Sequence, residues 1–324
     1  MNLNPYARLP HPGETTLIEI RPTVAIIGAG MAGITAARLL SERGYSVTIY
    51  EKARGLGGRM STRREGDYAF DHGCQFFTAR DERFRRYLEA WEEQGLASRW
   101  DLRVASCERG TVTPLRDDTL RYVGVPAMNA MIKKMAAGLD VKLSTRVTGL
   151  QAEDGEWRVL SDPAAPDETY EIVVVSTPAE QAAPLLAGSS SLQAQAAVVR
   201  MQPCWSVMVA FEYDLEPPFD GAFLRGSPLV WVANNGSKPG RTTHECWVLH
   251  AAPSWSRDHL ELPPEQIVEK LLPAFFEATG LKPVKPLAAF AHRWRHASPE
   301  NALDTGCLWD ARAGLAACGD WCQS

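Results

Sequence analysis

The chain has 324 residues, more than one average domain, and its 45% hydrophobic and 23% charged composition is that of a globular protein rather than a disordered or fibrous one. A net charge of −5 and a pI near 5.9 leave no electrostatic footprint for nucleic acid or an anionic membrane surface. No apolar run approaches the ~20 residues that a membrane span requires.

The first 22 residues carry four prolines and no basic start followed by an apolar core, so they read as a loosely ordered extension and not as a signal peptide. Val24–Ile27 is a short apolar run suited to a buried parallel strand. It enters Gly28-Ala29-Gly30-Met31-Ala32-Gly33, a G-x-G-x-x-G turn. In such a turn the first glycine permits the tight bend, the second lets backbone approach a pyrophosphate, and the third lets the next helix pack closely on the strand. That helix is predicted from about Met31 to Arg43, with Gly44 as its stop. Its N-terminus offers free N–H groups and a positive dipole end to phosphates. A second strand follows at Tyr45–Tyr50, and Glu51 lies 18 residues beyond Gly33. That is close to the ~20 expected for the acid that takes a ribose hydroxyl, and a carboxylate there repels a 2′-phosphate. Alone, the turn could be helix packing and Glu51 a solvated acid; their order along the chain points to an adenine dinucleotide.

Gly57-Gly58-Arg59-Met60-Ser61-Thr62 comes next. A glycine pair lets backbone amides reach an anion, and Arg59 is suited to bidentate phosphate contact; the alternative is a flexible basic loop. This segment resembles the G-G-R-x-x-[ST] loop of amine-oxidase-like flavoproteins, which implies FAD rather than NAD.

Asp81–Gln94 is predicted helical, residues 98–123 read as strands and turns, and Met128–Gly138 is a further helix. Val141–Val147 and Trp157–Leu160 are strand candidates around the Glu153-Asp154-Gly155 turn, and Ile172–Val175 is a buried strand closed by Ser176-Thr177-Pro178-Ala179. Residues 191–286 suggest a largely antiparallel sheet, with strands such as Ser206–Tyr213 and Cys246–Ala251 and a helix over Pro264–Thr279. The predicted fold is α/β (α+β overall). It has a discontinuous Rossmann-like FAD domain (23–80, 124–190 and 287–324) and a mainly antiparallel substrate domain (81–123 and 191–286), as in amine oxidases and p-hydroxybenzoate hydroxylase.

Seven scattered cysteines without a C-x-x-C suit free thiols in a reducing cytoplasm. Cys318 and Cys322 read as packing rather than as a metal or covalent-flavin site. No Ser-His-Asp or metal-ligand constellation is present.

From about residue 22 the chain resembles bacterial renalase-like proteins of the flavin-containing amine oxidase superfamily. Phe70 through Asp81, Val123 through Met128, Pro203-Cys204-Trp205, Trp231 through Pro239, Trp247 through His250, Ala291 through Trp294 and Cys318 through Cys322 carry the likeness. It implies non-covalent FAD held by Gly28, Gly30, Met31, Ala32, Gly33, Glu51, Lys52, Gly58, Arg59, Gln75, Val147, Thr177, Pro178, Gly319 and Asp320. It also implies oxidation of the 2- and 6-dihydro isomers of NAD(P)H, with hydride passing to flavin N5 and then to oxygen, giving NAD(P)+ and hydrogen peroxide. Such chemistry needs positioning more than acid–base catalysis, because hydride loss restores aromaticity.

The positioning candidates are Gln75, Trp231, Asn235, Trp247, His250, His292 and Trp294; Trp231 and Trp247 read equally well as core, and His292 as a solvated strand end. Two alternatives stay open. One is a flavin-containing amine oxidase, in which Trp321 belongs to an aromatic cage, or a desaturase-like oxidoreductase. The other is a truncated, non-catalytic dinucleotide-binding protein, since the resembling proteins continue past Gly-Asp-Trp-Cys with a glycine-rich turn and a helix; weakened FAD retention is then expected.

Overall fold

β1 (Thr23–Ile27), α1 (Met31–Glu42) and β2 (Ser46–Tyr50) form the expected β-α-β unit, and Val24, Ala25 and Ile26 are wholly buried, which explains a strand without polar alternation. The computed structural model describes residues 21–164, 168–241 and 244–323; nearly all of the expected N-terminal extension lies outside them. β3 (Arg63–Glu65) and β4 (Tyr68–Phe70) make a short hairpin. α2 (Glu82–Glu93) starts at Asp81, whose carboxylate accepts from the backbone N–H groups of Arg83 and Phe84. There follow β5 (Ala97–Arg99), β6 (Val104–Glu108), β7 (Thr111–Pro114), β8 (Tyr122–Gly124), α3 (Ala130–Ala136), β9 (Asp140–Lys142), β10 (Arg146–Glu153), β11 (Glu156–Asp162), β12 (Thr169–Tyr170) and β13 (Ile172–Val175). The remainder holds α4 (Ala179–Leu185), α5 (Ser190–Ala197), β14 (Met201–Phe211), β15 (Gly221–Arg225), β16 (Leu229–Asn234), β17 (Glu245–Ala251), α6 (Pro253–Asp258), α7 (Pro264–Thr279), β18 (Ala288–Pro299), β19 (Leu308–Asp310) and β20 (Leu315–Ala317).

Two sheets position the site. The dinucleotide sheet runs β19-β20-β13-β1-β2-β9 and is parallel except for β19 at its edge. Its register pairs Ile27 with both Tyr50 and Val175, so Gly28, Glu51 and Ser176 emerge side by side at the carboxyl ends. Ligands of open α/β sheets bind at that edge. The second sheet runs β18-β14-β17-β16-β15-β6-β7 and is antiparallel apart from the β15–β6 pair. α7 covers one face of it, with Ile267, Leu271 and Phe275 in one core with Val207, Val209, Trp247 and Leu249.

Two expectations change. The apolar stretch 141–147 is not one strand: it turns at Ser144, whose φ is +53°, so β9 completes the dinucleotide sheet while β10 enters a separate three-stranded sheet. The segment from 287 does not return directly to the dinucleotide sheet, because β18 pairs along β14 from Ala288–Ala210 to Pro299–Met201; only β19 and β20 return. Among the described residues no helix is long and apolar enough to cross a membrane.

Candidate cofactor and substrate site

Gly28 has φ +108°, and a methyl group on Gly33 would stand 2.0 Å from the Gly28 carbonyl oxygen. Both glycines are therefore required by geometry. No heavy atom lies within 4 Å of where a Gly30 Cβ would be, so α1 opens onto free space. Its N-cap, Gly30, supplies no side-chain acceptor, and the first-turn N–H groups of Met31, Ala32 and Gly33 have no intrahelical partner.

Glu51 is buried, and its two carboxylate oxygens accept from Ala29 N–H and Ala53 N–H, both at 2.8 Å. Ser144 and Thr145 N–H donate to the Ala53 and Glu51 carbonyls at 2.9 Å, bringing the start of β10, with Val147, beside the acid. Lys52 donates to Gln181 at 3.1 Å. Gly57 N–H donates to the Ala29 carbonyl, and a Cβ on Gly58 would lie 3.5 Å from Gly30 Cα, so the two glycine loops touch. Arg59 makes a bidentate pair with Asp320 at 2.6 Å per bond and donates to the Ala297 carbonyl. Sequence alone does not show that this arginine and the Gly319-Asp320 turn meet. The Thr177 hydroxyl is buried with no partner among the described residues, and Pro178 is the N-cap of α4. An open helix terminus, a close glycine pair and an orphaned hydroxyl fit a diphosphate-bearing group.

The second half of the site is built by the loop after β4. Asp71 is wholly buried and accepts from Thr62 at 2.7 Å, Lys238 at 3.2 Å and Arg241 at 2.7 Å. Burial alone would raise its pKa; Lys238 and Arg241 overrule it and hold the carboxyl at about 2. Burial pulls Lys238 down to about 8, and Asp71 partly offsets this. Two cations thus face one carboxylate in a dry interior. Gln75 joins them: its carbonyl accepts from Lys238 at 3.2 Å, while its amide donates to the Asp71 and Gly73 carbonyls.

Gly73, Cys74, Gln75 and Phe76, with Phe223, Trp231 and His250, line a cavity of about 260 Å³. Trp231 lies 4.7 Å from Phe223 and 5.7 Å from Phe76 between ring centres, and its Nε1 is buried without a partner among the described residues. Burial lowers His250 to about 4 and raises Cys74 to about 11, so both are neutral at pH 7. Behind the cavity the His72 carbonyl accepts from Trp294 Nε1 at 2.9 Å and contacts His250 Nε2 at 3.3 Å. The rings of His72, His292 and Trp294 cluster at centroid separations of 4.4–5.0 Å.

Of the positioning candidates, Gln75, Trp231 and His250 meet at the cavity, and His292 and Trp294 stand behind it through His72. Asn235 does not line it: its side chain bonds Ala69 O and Asp71 N and so ties the β4 loop to the turn after β16. Trp247 is core, packed on Phe219 and Phe275 on the α7 side of the sheet. Trp321 is wholly buried and donates to the Thr177 carbonyl at 2.9 Å, away from that cavity's lining. Sequence reasoning missed Asp71, His72, Phe76, Phe223, Lys238 and Arg241 as site residues.

The family model described as flavin containing amine oxidoreductase matches residues 102–302, and that of an NAD(P)-binding Rossmann-like domain matches residues 26–91. The chain belongs to the flavin containing amine oxidoreductase family. Membership implies FAD, which the glycine cradle fits. Among relatives of this family member, the carotenoid phi-ring synthase of Streptomyces griseus is 36% identical over 128 residues, covering 34% of this chain and 22% of that protein. A 4,4'-diapophytoene desaturase of Staphylococcus aureus is 34% identical over 76 residues, 20% of this chain and 15% of that protein. The matches thus span about a fifth or less of these relatives. A putative protoporphyrinogen oxidase from Exiguobacterium sp. 255-15 superposes with a TM-score of 0.72 at 14% identity, over 93% of this chain and 94% of that one. A putrescine oxidase bound to putrescine gives 0.65 at 15%, over 84% of each. At these identities the likeness establishes the fold: a Rossmann-like FAD domain with an antiparallel substrate-domain sheet.

Proposed function

We propose that this chain is an FAD-dependent oxidase of dihydronicotinamides, converting the 2- and 6-dihydro isomers of NAD(P)H to NAD(P)+ with oxygen as final acceptor and hydrogen peroxide as product. FAD, when bound, supplies the hydride acceptor. Gly28, Gly30, Gly33 and the α1 terminus at Met31 and Ala32 would receive its pyrophosphate and Glu51 a ribose hydroxyl. Lys52, Gly58, Arg59, Val147, Thr177, Pro178, Gly319 and Asp320 would complete its bed.

The observation that carries the substrate reading is an aromatic cavity with no Asp, Glu, Lys or Arg in its lining among the described residues. Phe76, Phe223 and Trp231 offer apolar faces to a flat ring, and the unpartnered Trp231 Nε1 suits a carboxamide oxygen. Gln75 spends its own hydrogen bonds on Lys238 and the Asp71 loop, so it shapes the wall. Among the described residues no carboxylate lines the cavity. Neutral His250 and Cys74 suit a hydride loss that needs no acid–base partner. Seven free thiols support a cytoplasmic setting.

Oxidation of an amine is the second reading, favoured by family membership and by the fold likeness to putrescine oxidase. Anaerobic stopped-flow mixing of FAD-loaded protein decides between them. We expect the 2- and 6-dihydro isomers to bleach the flavin band and primary amines and polyamines to leave it unchanged. Bleaching by amines alone would overturn the dihydronicotinamide reading.

A further inference from the structure

We propose that Cys307 and Cys318 are a modification site, a thiol pair that a hydroperoxide closes into a cross-strand disulfide, stapling the β19–β20 edge hairpin next to the Gly319-Asp320 turn. The hairpin register pairs Leu308 with Ala317, Trp309 with Ala316 and Asp310 with Leu315; one step outward sets Cys307 opposite Cys318. Both point to one face. Leu308, Leu315 and Ala317 enter the core that holds Trp157 and Trp321, whereas Ala316 and Cys318 pack against the other core of the sheet. Side chains alternate along a strand, so Cys307 shares the face of Trp309, Ala316 and Cys318.

The pair is also of the closer kind. Cys318 N–H donates to the Val175 carbonyl at 3.1 Å, and the Gly314 carbonyl accepts from Val173 N–H at 2.9 Å. Alternate residues of this segment therefore aim their backbone groups at β13, away from β19. Cys307 and Cys318 make a non-hydrogen-bonded pair, in which opposed Cα atoms lie about 4.5 Å apart, within the roughly 4.4–6.8 Å that a disulfide spans. Cys322 is excluded from this pairing because it is wholly buried in the opposite core, its thiol turned to the Ala317 carbonyl.

Access differs between the two thiols. Cys307 is exposed and lines an open crevice of about 420 Å³ with Thr305, Trp309 and Arg312, while Cys318 is partly buried. Burial, followed by the nearby Cys307, raises the Cys318 thiol to about 11. Cys307 is accordingly the attacking thiol. Its thiolate displaces hydroxide from hydrogen peroxide and becomes a sulfenic acid; the Cys318 sulfur then attacks the Cys307 sulfur and water leaves. In total, two thiols and one hydrogen peroxide give one disulfide and two waters. Because the peroxide is added from outside, the inference is independent of the substrate reading.

The test oxidises the reduced full chain with a small excess of hydrogen peroxide, blocks remaining thiols with iodoacetamide, and maps peptides without reductant by mass spectrometry. The expected result is a peptide pair joined through Cys307 and Cys318, with two of the seven thiols lost and regained in dithiothreitol. Cys307→Ser and Cys318→Ser should each abolish the linkage, and Cys322→Ser should keep it. Cys307→Ser alters an exposed side chain, so it carries the test even if a Cys318 variant fails to fold. A Cys318–Cys322 linkage, or over-oxidised Cys307 beside alkylated Cys318, would overturn the proposal.

Discussion

At Gly33 a single distance fixes the residue type. A Cβ there would meet the Gly28 carbonyl at 2.0 Å, so Gly33→Ala must push α1 from the turn. Overpacking of this kind costs ~1–3 kcal/mol, and because the displaced helix end is the phosphate site, FAD affinity should fall by about tenfold or more. The ratio of flavin to protein absorbance, with a fluorescence titration, measures this. Lys238 makes the opposite case, since nothing local marks it. A lysine in a Lys-Pro-Gly turn is ordinarily solvated; burial follows from Asp71, 167 positions earlier, with Gln75 and the Trp100 ring as further partners. Lys238→Met should lower the unfolding free energy by about 3 kcal/mol, the lower end for a broken buried pair because Arg241 still holds Asp71. Lys238→Arg should not restore it, and urea denaturation of the three proteins checks both statements. The glycine turn and Glu51 were legible because the spacing that identifies them, and the Glu51 side chain's bonds to Ala29 and Ala53, are local in the chain; Lys238 was not, because its partners are brought by the fold.

Among the strands, side-chain parity explains what was read well and what was not. His292 and Trp294 are two apart on β18, share a face and are found together. Trp247 and His250 on β17 are three apart, so both could not face one cavity; the structure sends His250 to the cavity and Trp247 to the α7 core. That conflict was present in the sequence and only the choice of face needed the fold. The break between β9 and β10 was less legible, because Ser144 at φ +53° carries no glycine or asparagine signal. The variants should separate accordingly. Trp231→Phe removes an indole N–H beside the cavity, so kcat/KM for a dihydronicotinamide isomer should drop by about tenfold, near 1–1.5 kcal/mol, together with a lower melting temperature, because the ring also packs in the core around Trp100 and Met128. Trp247→Phe should lower the melting temperature and leave kcat/KM alone. An undiminished kcat/KM in Trp231→Phe, or a reduced one in Trp247→Phe, would contradict this division of roles.

For the molecule as a whole, acid is the expected weakness. His72 is held at about 3 and His250 and His292 at about 4, each first by burial, with Arg63 also opposing the charge on His72 and His292 while Asp71 favours it on His72. Their ordinary value is 6.5, so between that pH and about 4 the unfolded chain binds protons that the native protein refuses. Stability must therefore be full above the ordinary value and fall as pH drops through this window. Asp71, at about 2 against an ordinary 3.8, adds a second loss below 3.8. Glu245, raised by burial, works in the other direction, one group against three. Thermal midpoints recorded from neutral pH to pH ~4 should decline steadily, and His292→Asn should flatten the decline; a level wild-type profile would refute the assignment.

The fastening of Asp71 by Lys238 and Arg241 bears on the aromatic cavity. Asp71 follows β4 at one wall of the cavity, while the two cations sit in the turn after β16 that supports the other. Parting those walls would break two buried ion pairs that share one carboxylate. The loop that carries Gly73 through Phe76 is thereby held in register with the turn after β16, and a change at either cation reaches the aromatic lining through the anchor of that loop.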